Sequence, residues 1–148
     1  MIKIAIEGEL PAGISPSEIS TLAKHIMGRE CPDKAFEISL NIVDSDEMRK
    51  INRQYRGADE TTDILSFVSD ELDLNGRKSH ICDIIVDINS LEIQKGINSL
   101  IEEFWQVLIH GLLHLAGYDH ITHADRKKME DAEEKYNSQL LGVLNGGR

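Results

Sequence analysis

Residues 36–42 read FEISLNI, in which Phe36, Ile38, Leu40 and Ile42 alternate with Glu37, Ser39 and Asn41. A period of two puts the apolar side chains on one face and the polar ones on the other, so this segment is a strand with one side in a core. Toward the N-terminus, Ile19, Leu22, Ala23, Ile26 and Met27 form a helical apolar stripe. Ser15, Pro16 and Glu18 stand before it as N-cap, first-turn proline and capping-box partner, and Gly28 reads as its end. Upstream of the GELPAGIS break, Ile2, Ile4 and Ile6 alternate as a first strand.

Toward the C-terminus, Asp44 with Glu47 opens a short helix through Met48, Ile51 and Tyr55 that Gly57 ends. Residues 64–68 read as a third strand, the charged stretch 69–80 with Asn75 and Gly76 as an exposed turn or hairpin, and 81–88 as a strand covered on both sides. A helix over 89–95 stops near Gly96. Ser99 with Glu102 then caps a helix carrying Phe104, Val107, Leu108, His110 and His114, which Gly117 terminates. Thr122 with Asp125 opens the last helix, whose stripe of Met129, Ala132, Tyr136 and Leu140 precedes Gly142. The sum is an α+β single domain over residues 1–144, a roughly four-stranded mixed sheet packed against about five helices, with a frayed tail at 145–148.

A chain of 148 residues can bury a core without disulfides or structural metal. Two cysteines, no basic-then-apolar leader and no apolar run of membrane-spanning length make the expectation a soluble, reduced, cytoplasmic protein with no membrane partner. The net charge of −10 argues against an extended nonspecific grip on duplex DNA. It leaves room for a local cationic stripe. Arg49, Arg53 and Arg56 recur on one helical face, a spacing that solvated surface also produces, and a basic cleft floor formed by that face is the expectation for an RNA path.

Chemistry concentrates in residues 110–120, HGLLHLAGYDH. His110 and His114 lie one helical turn apart, and a helix-ending Gly117 lets the chain return His120 toward them. A lone histidine on an apolar helix is usually a hydrogen-bonded core residue, but four of the chain's six histidines fall between 110 and 123. Three imidazoles suit one zinc ion, leave a fourth position for water and lower the pKa of that water toward about 7. His123, past the Thr122 cap, reads as surface. His25 and His80 are isolated, and Cys82 lacks a second cysteine at zinc spacing. The offsets match the metzincin pattern HExxHxxGxxH, yet Gly111 stands where those peptidases carry their general base. Asp119 is an open case: a base, a carboxylate orienting a histidine, or a turn residue.

The string HGLLHLAGYDH resembles the signature of the YbeY family of bacterial metal-dependent, single-strand-specific endoribonucleases. NRQYRGADETTDILSF and CDIIVD are similar to that family's upstream blocks, so the resemblance covers essentially the whole chain. It implies that His110, His114 and His120 bind zinc and that Arg56 is the functional arginine of the cleft. It also implies a substrate of single-stranded RNA, in particular the ribosomal RNA precursor, with ribosomal components as partners in ribosome maturation and quality control. A guanidinium there can hold a phosphodiester by two hydrogen bonds and offset growing charge. The nucleophile stays open between metal-activated water and the ribose 2′ hydroxyl. Thr61, Val68 and Cys82 depart from the family pattern, which bears on backbone shape at the cleft rim rather than on the ligands. Two rival readings stand beside this one: a metallopeptidase-like hydrolase, and a ribosome-associated zinc protein without catalytic activity.

Overall fold

A computed structural model of the chain describes residues 1–57 and 62–145. The alternating FEISLNI segment lies within β2 (Ala35–Val43), which pairs in parallel with β1 (Ile2–Glu7) on one side and with β4 (Arg77–Asp87) on the other. A parallel neighbour requires a crossover, and α1 (Pro16–Glu30) supplies the one between β1 and β2. After β2 come α2 (Ser45–Arg56) and β3 (Ile64–Leu74), and β3 pairs antiparallel with β4 as the outer strand. The sheet is therefore mixed, in the order β1-β2-β4-β3. Then follow α3 (Ile88–Gln94), α4 (Leu100–Leu115) and α5 (His123–Leu144). Four strands and five helices among the described residues meet the α+β expectation.

Register explains the core. Ile38 lies opposite Cys82, Leu40 opposite Ile84 and Ile42 opposite Val86, so one face of the two central strands is continuously apolar. Against it lies α4, buried on almost every side through Phe104, Leu108, Ile109, Leu112 and Leu113, because α1 and α5 close over its outer surface. The opposite face of the sheet is covered only in part, where Met48 of α2 packs on Leu65 and Ile85. Ile84 and Ile85 thus go to different cores, and the near-continuous apolar run of β4 follows from that. No helix among the described residues is long and apolar enough to cross a membrane.

Three sequence boundaries move. Gly28 does not end α1, which runs to Glu30 and stops where Pro32 excludes helical geometry at Cys31. Gly142 does not end α5, since continuing two residues lets Leu144 pack on the core together with Leu140. The stretch 69–80 is mostly strand: β3 and β4 form a long hairpin whose Asn75 and Gly76 have φ of 57° and 80°, the left-handed pair of a tight two-residue turn. Opposite charges face each other across it, Asp73 with Lys78, which explains why a charged stretch forms a ladder. Residues 146–148 of the expected frayed tail lie outside the described residues, as does Thr61.

Candidate metal centre

Ser99 and Glu102 close a reciprocal capping box that starts α4 and sets the phase of its last turns. His110 and His114 consequently point the same way at its C-terminal end. Gly117, at φ 114°, turns the chain in a conformation a side chain would resist. His120 then returns over them. Its Nε2 is 3.3 Å from His114 Nε2, which is 3.2 Å from His110 Nε2. The three imidazoles thus offer nitrogens within 4.8 Å of one another, a group that could hold a metal ion.

Their other nitrogens decide what these atoms are. His114 Nδ1 lies 2.9 Å from the Tyr118 carbonyl oxygen, which only accepts, so Nδ1 carries the proton. His110 Nδ1 lies 3.3 Å from Glu133 Oε2 of α5 and donates to that carboxylate. Both Nε2 atoms are left as lone pairs facing each other, an arrangement that repels until a cation lies between them. Burial holds His114 below the ordinary imidazole range, and His110 beside it pushes in the same direction. Two nitrogens bound tetrahedrally at zinc distances stand about 3.3 Å apart, which matches the spacing found here. The donor set fits a single ion.

Glu30, at the end of α1, fastens the returning loop. Its Oε1 accepts a hydrogen bond from the Tyr118 hydroxyl at 2.8 Å, and Oε2 accepts from the Tyr136 hydroxyl of α5. Burial, with the carboxylate adding to it, pushes the Tyr118 phenol up to about 12, so it remains a donor at any working pH. Tyr118 in turn presents the carbonyl that fixes His114.

The histidines open onto a cavity of about 720 Å³ that Arg56, Tyr55, Phe67 and Asp63 also line. Arg56 comes from the last turn of α2, just before Gly57 ends that helix with a left-handed residue. Arg49 and Arg53 are exposed and absent from the cavity lining, so the expected three-arginine floor reduces to one residue. His123 is exposed on the first turn of α5. His25 bonds Gln139, and His80 stacks on Phe36; neither joins the cluster. Cys82 is a buried core thiol, pushed up to about 12 by burial. Asp119 accepts from the Ile121 amide at 3.1 Å and serves as a turn residue. The carboxylate that orients a histidine is Glu133. Sequence reading passed over it, although its place between Ala132 and Tyr136, on the border of the buried stripe, is a usable signal.

Fold and cluster define a class: an α+β domain with a three-histidine centre able to hold one metal ion. The sequence model of the family described as Endoribonuclease YbeY matches residues 7–141, and the chain belongs to that family. Among similar proteins, the Endoribonuclease YbeY of Desulfitobacterium hafniense is 40% identical over 117 residues, 73% of this chain and 73% of that protein. That of Thermotoga petrophila is 33% identical over 141 residues, 94% of this chain and 89% of that protein. The solution structure of a Thermotoga maritima protein superposes with a TM-score of 0.65 at 30% identity, covering 99% of this chain and 93% of that one.

Proposed function

We propose that this chain is a zinc-dependent, single-strand-specific endoribonuclease acting in the cytoplasm on ribosomal RNA precursors, in ribosome maturation and quality control. His110, His114 and His120 are its zinc ligands and Arg56 its catalytic arginine. One observation carries the reading: three Nε2 atoms converge in the same cavity that Arg56 lines, in a chain whose relatives are named endoribonucleases. Imidazole donors and their spacing favour zinc over the harder cations. When bound, the ion supplies a Lewis acid toward a phosphoryl oxygen and lowers the pKa of a coordinated water.

The chain's own residues do the rest. The Arg56 guanidinium donates two hydrogen bonds to non-bridging oxygens of a phosphodiester and stabilises charge growing there. Glu133 and the Tyr118 carbonyl hold His110 and His114 in the tautomer that keeps Nε2 available. The overall acidity leaves, among the described residues, one fixed cationic side chain, Arg56, in the cavity lining beside Asp63, so the attraction for a phosphate there rests on that guanidinium and on the bound ion. A peptidase reading lacks its base: position 111 is Gly111, which has no side chain to accept a proton, and a Cβ there would lie 2.8 Å from Ile64 Cδ1 and have to push that methyl aside.

The test is zinc content and cleavage of single- and double-stranded RNA by the parent, His114→Ala and Arg56→Ala. Loss of zinc and cleavage in the first, and loss of cleavage with zinc retained in the second, is the expected result. Undiminished cleavage by a metal-free parent sinks the proposal. Unchanged activity in Arg56→Ala, with chelation lowering only the melting temperature, assigns zinc a structural task instead.

A further inference from the structure

On the rim of the histidine cavity stands an aromatic pair that the proposed chemistry does not use. Tyr55, in the last turn of α2 and adjacent to Arg56, is 60% exposed, unusual for a ring on a helix that packs against a sheet. Its centroid lies 5.3 Å from that of Phe67 on β3, with the planes inclined by 34°. Phe67 is itself packed on the cluster of Met48, Leu65 and Ile85, so the outer ring rests on a fixed support. Both rings line the histidine cavity and also a second one, of about 390 Å³, on the partly covered face of the sheet. They form the sill between the two.

The two sides of this sill differ in chemistry. The first holds the Arg56 guanidinium, which attracts an anion, and the histidines, which do so once they carry a metal ion, beside the carboxylate of Asp63. The second is lined by the carboxylates of Glu7, Glu47 and Asp83, which repel a phosphate, and by the neutral amide of Asn41; all four accept hydrogen bonds from amino groups. A nucleotide has the same polarity, an anionic phosphate at one end and a flat, uncharged base bearing N–H donors at the other. We propose that Tyr55, backed by Phe67, is a stacking platform for the nucleobase flanking the scissile phosphate, with the base edge turned toward Asn41 and Asp83. The inference rests on the nuclease reading and deepens it. A base inside a duplex has both faces covered by its neighbours and cannot reach such a ring, so the platform selects an unpaired strand.

Steady-state kinetics of the zinc-loaded full chain test it. Two single-stranded oligoribonucleotides are compared, one with an intact base beside the cleaved bond and one abasic there. Tyr55→Leu still covers Phe67 but removes the π face, and is expected to raise KM roughly tenfold on the intact substrate with unchanged zinc content. On the abasic substrate parent and variant are expected to behave alike. Tyr55→Phe, which keeps the ring, is expected within about twofold of the parent. Equal KM for parent and Tyr55→Leu on the intact substrate, an equal loss on the abasic one, or a tenfold rise in Tyr55→Phe overturns the platform while cleavage itself stands. Absence of cleavage by the zinc-loaded parent overturns both readings.

Discussion

A Cβ at position 111 would sit 2.8 Å from Cδ1 of Ile64 and 3.5 Å from Cγ2 of Ile84, so α4 packs on β3 and β4 closely enough that any side chain there must push the Ile64 methyl aside. The residue after His110 therefore points toward Ile64 and Ile84 of the sheet. Installing the peptidase glutamate overfills a packed contact and buries a carboxylate. Gly111→Glu is expected to lose about 2 kcal/mol or more, several degrees in Tm, and to gain no casein-degrading activity. Calorimetry and a casein digest check both.

Glu133 touches His110 rather than the ion, so its effect should be on affinity. Glu133→Ala is expected to weaken zinc binding about 10- to 100-fold in chelator competition, with the fold retained. Glu133→Gln, which still accepts from Nδ1 without the charge, should fall between. Unaltered affinity in both would dismiss the contact at 3.3 Å as incidental.

Acid acts on the metal-free protein through His114, whose pKa burial lowers in the folded state. Between the unfolded value near 6.5 and the depressed folded value, the unfolded chain binds more protons, so stability falls as the pH drops through that window. Above about 6.5 both states are neutral and this contribution is flat. Urea midpoints of the chelated chain should decline from pH 7 to pH 5, and the decline should be shallower in His114→Gln. Zinc-loaded protein should resist until protons displace the metal.

Asp87 is fully buried and accepts from the Ser45 and Ser90 hydroxyls and from the amides of Asn89 and Ser90, tying the start of α2 and of α3 to the end of β4. Asp87→Ala removes a helix cap and leaves two hydroxyls short of an acceptor. A loss of about 3 kcal/mol is expected, read as a lower denaturant midpoint at constant slope.

What was legible in the sequence was what is local. The boxes of Ser15 with Glu18, Ser99 with Glu102 and Thr122 with Asp125 all form, because each needs only three residues of spacing. The histidine cluster was legible for the same reason, its members spanning eleven residues. Gly28 and Gly142 misled because a glycine inside a helix costs only about 1 kcal/mol, less than the packing gained by continuing. The pairings of Glu133 with His110 and of Glu30 with Tyr118 could not be read, since the partners lie 23 and 88 positions apart; the helical stripe marks Glu133 as half-buried but does not name the ring it meets. The basic floor failed likewise: shared helical phase placed Arg49 and Arg53 with Arg56, but only the end of α2 reaches the cavity.

The Glu30 anchorage has a bearing on how the centre assembles. A synthetic peptide of residues 110–120 would contain every nitrogen the ion needs and none of α1 or α5 to hold the turn in place. The difference in zinc affinity between such a peptide and the whole chain would weigh what two distant helices contribute to eleven residues. The metal should accordingly report completion of folding rather than begin it.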